Sequence, residues 1–139
     1  MMNRDFIYEQ QLYNNALRMQ QILTNYSQQQ QWLETDYLAI ERSLQILIES
    51  FIGLARYTLE ITFNIHVSKS REAIDVLHLK GVFDDHIYQQ LNKMIGFRNV
   101  LVHDYLNLNP AIIQSIVRQQ HYNLVIQQLQ ILLKCLEKI

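Results

Sequence analysis

One short stretch of the chain, GFRNVLVHDY at residues 96–105, concentrates side chains that can do chemistry. Arg98 is a permanent planar cation that can hold phosphate oxygens and stabilise the charge that develops on them. His103 can take and give a proton near neutral pH. Cleavage of an RNA strand by attack of its own 2′-hydroxyl requires such a proton transfer. Arg98 and His103 therefore supply the two chemical groups that phosphodiester cleavage needs in the absence of a metal ion.

The spacing of these residues constrains how they can meet. At about 100° per residue, positions 98 and 103 lie roughly 140° apart around an ideal helix, whereas positions 98 and 105 nearly superpose. Arg98 and Tyr105 are thus expected to share one helical face. His103 joins them only if the helix loosens near its end, or if a second subunit supplies the converging group across a two-fold axis. Both routes favour a site at a helix terminus in a homodimer.

Other chemistries have little support in the sequence. The five histidines include no pair at i, i+4 and no accompanying cysteine cluster, so no metal site is expected. Glycine-rich phosphate loops are absent, and no cofactor is expected. A structural interpretation of the motif also stays open, in which Arg98 forms an exposed ion pair and His103 caps a helix end.

Composition indicates one helical domain covering residues 1–139. Apolar residues make up 49% of the chain, while glycine occurs three times and proline once, so turns must be few and regular elements long. The net charge of −1 excludes a positive field over the whole protein. Any contact with RNA must therefore be local.

The sequence also predicts a compartment. A lone cysteine, Cys135, excludes an intramolecular disulfide and is best interpreted as a small apolar residue of the last helix. The first residues lack the apolar segment of a signal peptide, and no stretch approaches the roughly 18 apolar residues of a membrane-spanning helix. We expect a cytoplasmic protein that does not enter a membrane.

Hydrophobic periodicity predicts an all-α, up-and-down bundle of four long helices and one short helix. The second helix, with the best apolar stripe, should be central. Its interior Gly53 is expected to allow close packing of a neighbouring backbone. The predicted helices cover residues 3–27, 35–63 and 71–79, then run from 84 to the LNLN break at residues 106–109, and from 110 to the end. Their predicted starts are Asn3, Thr35, Ser68 or Ser70, Asp84 and Asn109, and Gly81 closes the third.

The octet RNVLVHDY resembles the R-x-x-x-x-H-x-Y signature of HepT-type toxins, a branch of the HEPN superfamily. The similarity extends over nearly the whole chain. AIERSLQILIES at residues 39–50 is similar to the family's central helix, KSREAIDVLHLKGVFDD to its short helix and turn, and KMIGFRN to the approach to the motif.

This resemblance implies a HEPN-like dimer with a composite cleft, acting as the toxin of a type II toxin–antitoxin system. The implied activity is that of a metal-independent ribonuclease, an RNA endonuclease with tRNA as a candidate substrate. Arg98 and His103 would be catalytic and Asn99 a polar supporter. The implied partner is a cognate minimal nucleotidyltransferase antitoxin, which inactivates the toxin by transferring AMP to Tyr105.

Two points qualify this expectation. Many relatives carry an acidic residue on the central helix where this chain has Gly53, so a supporting carboxylate at that position is missing here. The alternative function is a non-catalytic HEPN-like helical module that binds a nucleotidyltransferase or a nucleotide. Loss of the arginine or the histidine would mark that alternative, and both residues are present.

Overall fold

A computed structural model describes residues 3–138, and every regular element in that range is helical. This confirms the predicted all-α bundle, although the helix count differs from the prediction. The elements are α1 (Phe6–Gln28), α2 (Glu34–Phe63), α3 (Ser70–Leu79), α4 (Asp85–His103), the 3-10 turn η1 (Tyr105–Asn107), α5 (Pro110–Arg118) and α6 (Asn123–Glu137). Within this range no helix is both long and apolar enough to cross a membrane.

The 30-residue α2 is the central helix, as predicted. It packs against α1, α3, α4 and α6, and α3 packs in turn on α4. Its buried stripe is wider than that of a surface helix, because neighbours cover it on several sides. The largest fully buried side chains that it contributes are Ile40, Leu44, Leu47, Phe51, Leu54 and Leu59.

Two predicted helix starts are wrong. The N-cap of α1 is Asp5, whose carboxylate accepts from the backbone N–H of Tyr8 at 3.0 Å, and not Asn3. The second helix begins before Thr35, since Leu33 is its N-cap and Asp36 accepts from the Leu33 N–H at 2.7 Å. In both cases an aspartate close to the predicted cap satisfies a free N–H of the first turn.

The α3–α4 hairpin agrees with the prediction. The third helix runs from Ser70 to Leu79, and Gly81 adopts the left-handed conformation (φ 80°) that closes it. The next helix has Asp84 as its N-cap, with the carboxylate accepting from the Ile87 N–H at 2.8 Å. Ser70 at the start of α3 and Arg98 on α4 thereby both lie next to α2.

The predicted last helix is in fact two helices. Asn109 and Pro110 begin α5 as expected, but α5 ends at Arg118 and α6 starts at Asn123. Gln120 takes the left-handed conformation (φ 57°) in the turn between them. The break was missed because no glycine or proline marks it, and glutamine is rarely left-handed.

The prediction for Gly53 also needs correction. A Cβ at this position would lie 3.5 Å from both Leu12 Cδ2 and Tyr8 Oη of α1, which is ordinary van der Waals contact with side chains. No backbone approaches closely, so packing on α1 alone does not require glycine here. Gly53 also lines a polar cavity between α2, α3 and α4.

A buried carboxylate ties the start of the chain to α2. Glu9 is 4% exposed and accepts from Arg4 Nη2 at 2.7 Å and from Tyr57 Oη at 2.6 Å. Burial raises the pKa of Glu9, but the hydrogen bonds from Arg4 and Tyr57 outweigh it and hold the pKa below the ordinary 4.5. Burial, with the hydrogen bond to Glu9, raises the pKa of Tyr57 to about 12, so its hydroxyl remains a donor.

Replacing Glu9 with Gln should lower the free energy of unfolding at neutral pH by about 2 kcal/mol, because Arg4 and Tyr57 lose a charged acceptor. Since the folded-state pKa of Glu9 is depressed, its stabilising effect is present above the unfolded pKa and disappears as the pH falls through the folded value. Denaturant titrations of wild type and Glu9→Gln at neutral and acidic pH measure both effects.

The exposed Glu34, in the first turn of α2, provides a matched control. Glu34→Gln should cost less than about 1 kcal/mol, since only the helix-dipole interaction is lost. Equal losses in the two variants would show that the Glu9 cluster contributes nothing beyond a surface charge.

Candidate functional site

Arg98 lies on the face of α4 that is directed toward α2 and α3. Its Nη2 donates to Ser70 Oγ, at the start of α3, at 2.6 Å. The side chain is half-buried, and its Nε is buried without a hydrogen-bond partner among the described residues. Arg98 is therefore held in place by one hydrogen bond while part of its guanidinium remains free to bind a ligand.

A small polar cavity of about 290 Å³ adjoins this guanidinium. It lies between the middle of α2, the start of α3 and the second half of α4. Three of the chain's helices thus build one wall each, which fixes the cavity by packing rather than by a flexible loop. The residues that line it are Glu49, Ile52, Gly53, Arg56, Ser70 and Arg98.

His103 and Asn99 do not line this cavity. Both are exposed, and His103 is the last residue of α4. The helix stays α-helical through His103, with the Asp104 N–H still bonded to the Val100 carbonyl oxygen at 3.0 Å. The loosening that would bring His103 toward Arg98 within one chain is absent, so their offset around the helix remains.

The predicted stacking of Tyr105 over Arg98 on one helical face is wrong. The α-helix ends at His103, Asp104 leaves helical geometry (φ −137°, ψ 46°), and Tyr105 begins the 3-10 turn. The ring is 52% exposed. The expectation assumed a continuous helix through Tyr105, and the break at Asp104 redirects the chain.

Tyr105 lies instead beside Glu41, near the start of α2. Burial raises the pKa of the Glu41 carboxyl, and a hydrogen bond from the Tyr105 hydroxyl offsets part of that effect. Glu41 Oε1 is buried without a hydrogen-bond partner in the described chain. The phenol of the motif thus lies near a carboxylate of α2, with about half of its ring open to solvent.

The structure therefore separates the motif into two parts. Arg98 faces the α2–α3 cavity, whereas Asn99, His103 and Tyr105 lie at the exposed surface and end of α4. Among residues 3–138, no three His, Cys, Asp or Glu side chains come together as a metal-ligand group.

Comparison with protein families decides the assignment. The model of the family described as "Ribonuclease HepT-like" matches residues 12–132, which includes all six α-helices in whole or in part. The chain belongs to the HepT-like ribonuclease family. A comparison with curated protein sequences gives no significant match.

Solved structures show the same fold. A tri-AMPylated HEPN toxin of Shewanella oneidensis in complex with an MNT antitoxin is 23% identical, with a TM-score of 0.82 over 96% of this chain and 99% of the other. A toxin–antitoxin complex with AMP-PNP is 22% identical, with a TM-score of 0.80 over 94% and 99%. The Bacillus subtilis cytosolic protein YutE, of unknown function, is 19% identical, with a TM-score of 0.71 over 91% and 89%.

Three polar residues near the motif of this HepT-like ribonuclease were not predicted as site residues. Arg56 and Ser70 line the cavity with Arg98, and Glu41 lies near Tyr105. These residues are far from the motif in sequence; Ser70 and Arg98, for example, are 28 residues apart. Local spacing therefore does not predict that they meet in space. Only Ser70 had a local signal, as a possible helix start, and nothing in that signal pointed to the motif arginine.

Proposed function

We propose that this HepT-like ribonuclease is the toxin of a type II toxin–antitoxin pair and acts as a metal-independent RNA endonuclease. The observation that carries the proposal is the unpartnered Nε of Arg98 beside an open polar cavity, in a chain whose family is one of ribonucleases. Arg98 and His103 are assigned as the catalytic residues, with Asn99 as a polar supporter.

The chemistry follows from these two side chains. The RNA 2′-oxygen attacks the adjacent phosphorus, the new O–P bond closes a 2′,3′-cyclic phosphate, and the bond from phosphorus to the 5′-oxygen breaks. His103 takes the proton of the 2′-hydroxyl, and the leaving 5′-oxygen takes a proton from a water molecule. The guanidinium of Arg98 binds the non-bridging oxygens, where negative charge develops.

A homodimer would complete this site. The regular geometry of α4 leaves Arg98 and His103 on different sides of the helix, and the cavity around Arg98 contains no base from its own motif. A second copy related by a two-fold axis can supply its exposed His103 to the Arg98 of the first. The cleft then contains two equivalent active sites.

Neutralisation is proposed to occur by AMPylation of Tyr105 by a cognate nucleotidyltransferase antitoxin. The half-exposed phenol is accessible to a partner enzyme, and the following Leu106 is 96% exposed. The similar HEPN toxin of Shewanella oneidensis is tri-AMPylated and bound to an MNT antitoxin. Because Tyr105 lies two residues after His103, an added adenylate would occupy the space that RNA needs near the histidine.

Cleavage of bulk tRNA in excess EDTA tests the catalytic assignment. Wild type should leave 2′,3′-cyclic phosphate ends, and Arg98→Ala and His103→Ala should each lower the rate by about a hundredfold or more. Arg98→Lys should also fail largely, because an ammonium cannot reproduce a planar two-point contact with phosphate. Rates from end-labelled RNA provide the measurement, and activity that survives either alanine change would refute the assignment.

Mixing the two inactive variants tests the shared cleft. If Arg98 and His103 act across the dimer, each heterodimer of Arg98→Ala and His103→Ala contains one intact site. Random exchange should then restore about a quarter of the wild-type activity. Failure to recover activity after confirmed exchange, or a monomeric mass by light scattering, would contradict the dimeric cleft.

Tyr105→Phe tests the regulatory assignment. A phenol remains protonated at neutral pH and is a poor base, so the variant should retain much of the RNase activity. It should escape modification because the accepting hydroxyl is gone. Intact mass after incubation with the antitoxin, ATP and magnesium should rise by about 329 Da per AMP in wild type only. Equal modification of the variant, or RNA cleavage by the modified wild type, would remove Tyr105 from the mechanism.

A further inference from the structure

Two guanidinium groups meet at one neutral hydroxyl beside the motif. Ser70 Oγ accepts from Arg98 Nη2 at 2.6 Å and from Arg56 Nη2 at 3.2 Å. Arg56 Nη2 also donates to the Ser68 carbonyl oxygen at 2.8 Å. Because a hydroxyl and a carbonyl carry no net charge, neither neutralises the two cations, and a bound anion would relieve their mutual repulsion.

Both arginines keep a free donor in this region. Arg56 Nε and Arg98 Nε are buried, and neither has a hydrogen-bond partner among residues 3–138. A buried donor without an acceptor is unusual, because it loses its hydration without replacement. The same two side chains line the 290 Å³ cavity, so a ligand there is in reach of both guanidinium groups.

The start of α3 adds further donors. Ser70 is the first residue of this ten-residue helix, and its N-cap, Lys69, makes no side-chain capping hydrogen bond. The Ala73 N–H bonds to the Lys69 carbonyl oxygen at 3.2 Å, so the N–H groups of the preceding turn have no helical acceptor. The positive end of the helix dipole thus points to the place where the two arginines meet.

Two nearby carboxylates oppose an anion, but neither forms an ion pair with Arg56 or Arg98 among residues 3–138. Glu49 lines the cavity, but it is exposed and accepts from Gln45 Nε2 at 3.1 Å along its own helix. Glu72 lies in the first turn of α3 and is exposed.

We propose that Arg56, Ser70 and the first turn of α3 form a second phosphate-binding site beside Arg98. It holds the phosphodiester that neighbours the cleaved one in the same RNA strand, and so rests on the proposed function. Since Arg56 and Arg98 share Ser70 Oγ, the phosphates that they bind are separated by little more than one side chain. Consecutive phosphates of a single strand meet that requirement.

Binding without cleavage is the test, in a His103→Ala background with a fluorescent oligoribonucleotide. Adding Arg56→Gln should weaken binding by about five- to tenfold. It should also reduce the slope of log Kd against log salt by about 0.7, the value for one phosphate contact on a single strand. The control is Arg18→Gln, which removes the same charge from an exposed position of α1 outside the cavity and should change neither quantity.

Ser70→Asp separates ligand binding from folding. A carboxylate at this position would pair with Arg56 and Arg98 and occupy the anion site from within. The variant should keep or raise the thermal midpoint, yet bind the oligonucleotide at least as weakly as Arg56→Gln. An unchanged Kd in either variant would overturn the second phosphate site.

Two further outcomes separate this site from its alternatives. Arg56-dependent binding of 5′-AMP as tight as that of the oligonucleotide would overturn the assignment to an RNA strand in favour of a mononucleotide site. If the oligonucleotide binds through Arg56 but wild type cuts no RNA, the ribonuclease proposal fails while the phosphate site stands. If wild type cuts RNA and Arg56→Gln has an unchanged KM, the second phosphate site is overturned while the ribonuclease proposal stands.

Discussion

The burial of α2 on several sides is the constraint from which the site geometry follows. A 30-residue helix that contacts α1, α3, α4 and α6 can expose few polar groups along its middle. Leu54, Ala55, Tyr57 and Leu59 are buried, and Arg56 lies among them. A cation in such a position must find partners on the helices packed beside it. Ser70 and the cavity next to Arg98 provide that setting.

The same packing gives the motif arginine a fixed position. Arg98 is anchored to Ser70 by one of its terminal nitrogens, while Nε stays unpartnered. A long side chain loses considerable rotamer entropy when it binds a ligand, and an anchor that holds it in advance reduces that loss. Gly53 lies in the wall of the same cavity.

The end of α4 has the opposite character. His103, Asp104, Tyr105 and Leu106 are all exposed, in a region where the chain passes from α-helix to a 3-10 turn. Such a surface suits groups that act on, or are modified by, another molecule. The motif is thus divided between a half-buried arginine in the cavity wall and an exposed histidine and tyrosine at the end of α4. The proposed homodimer and the proposed antitoxin complex would each use this exposed end.

Residue types and local spacing alone determined the all-α class, the central position of α2, the Asp84 cap, the Gly81 stop and the motif with its family. These features depend on periodicity and on side chains a few positions apart, which a sequence shows directly. Tertiary structure alone decided that Gln120 breaks the last helix, that Asp104 turns Tyr105 away from Arg98 toward Glu41, and that Arg56 and Ser70 join Arg98. Each of these depends on packing between helices that are distant in sequence, and a short local pattern carries no information about which distant side chains will meet.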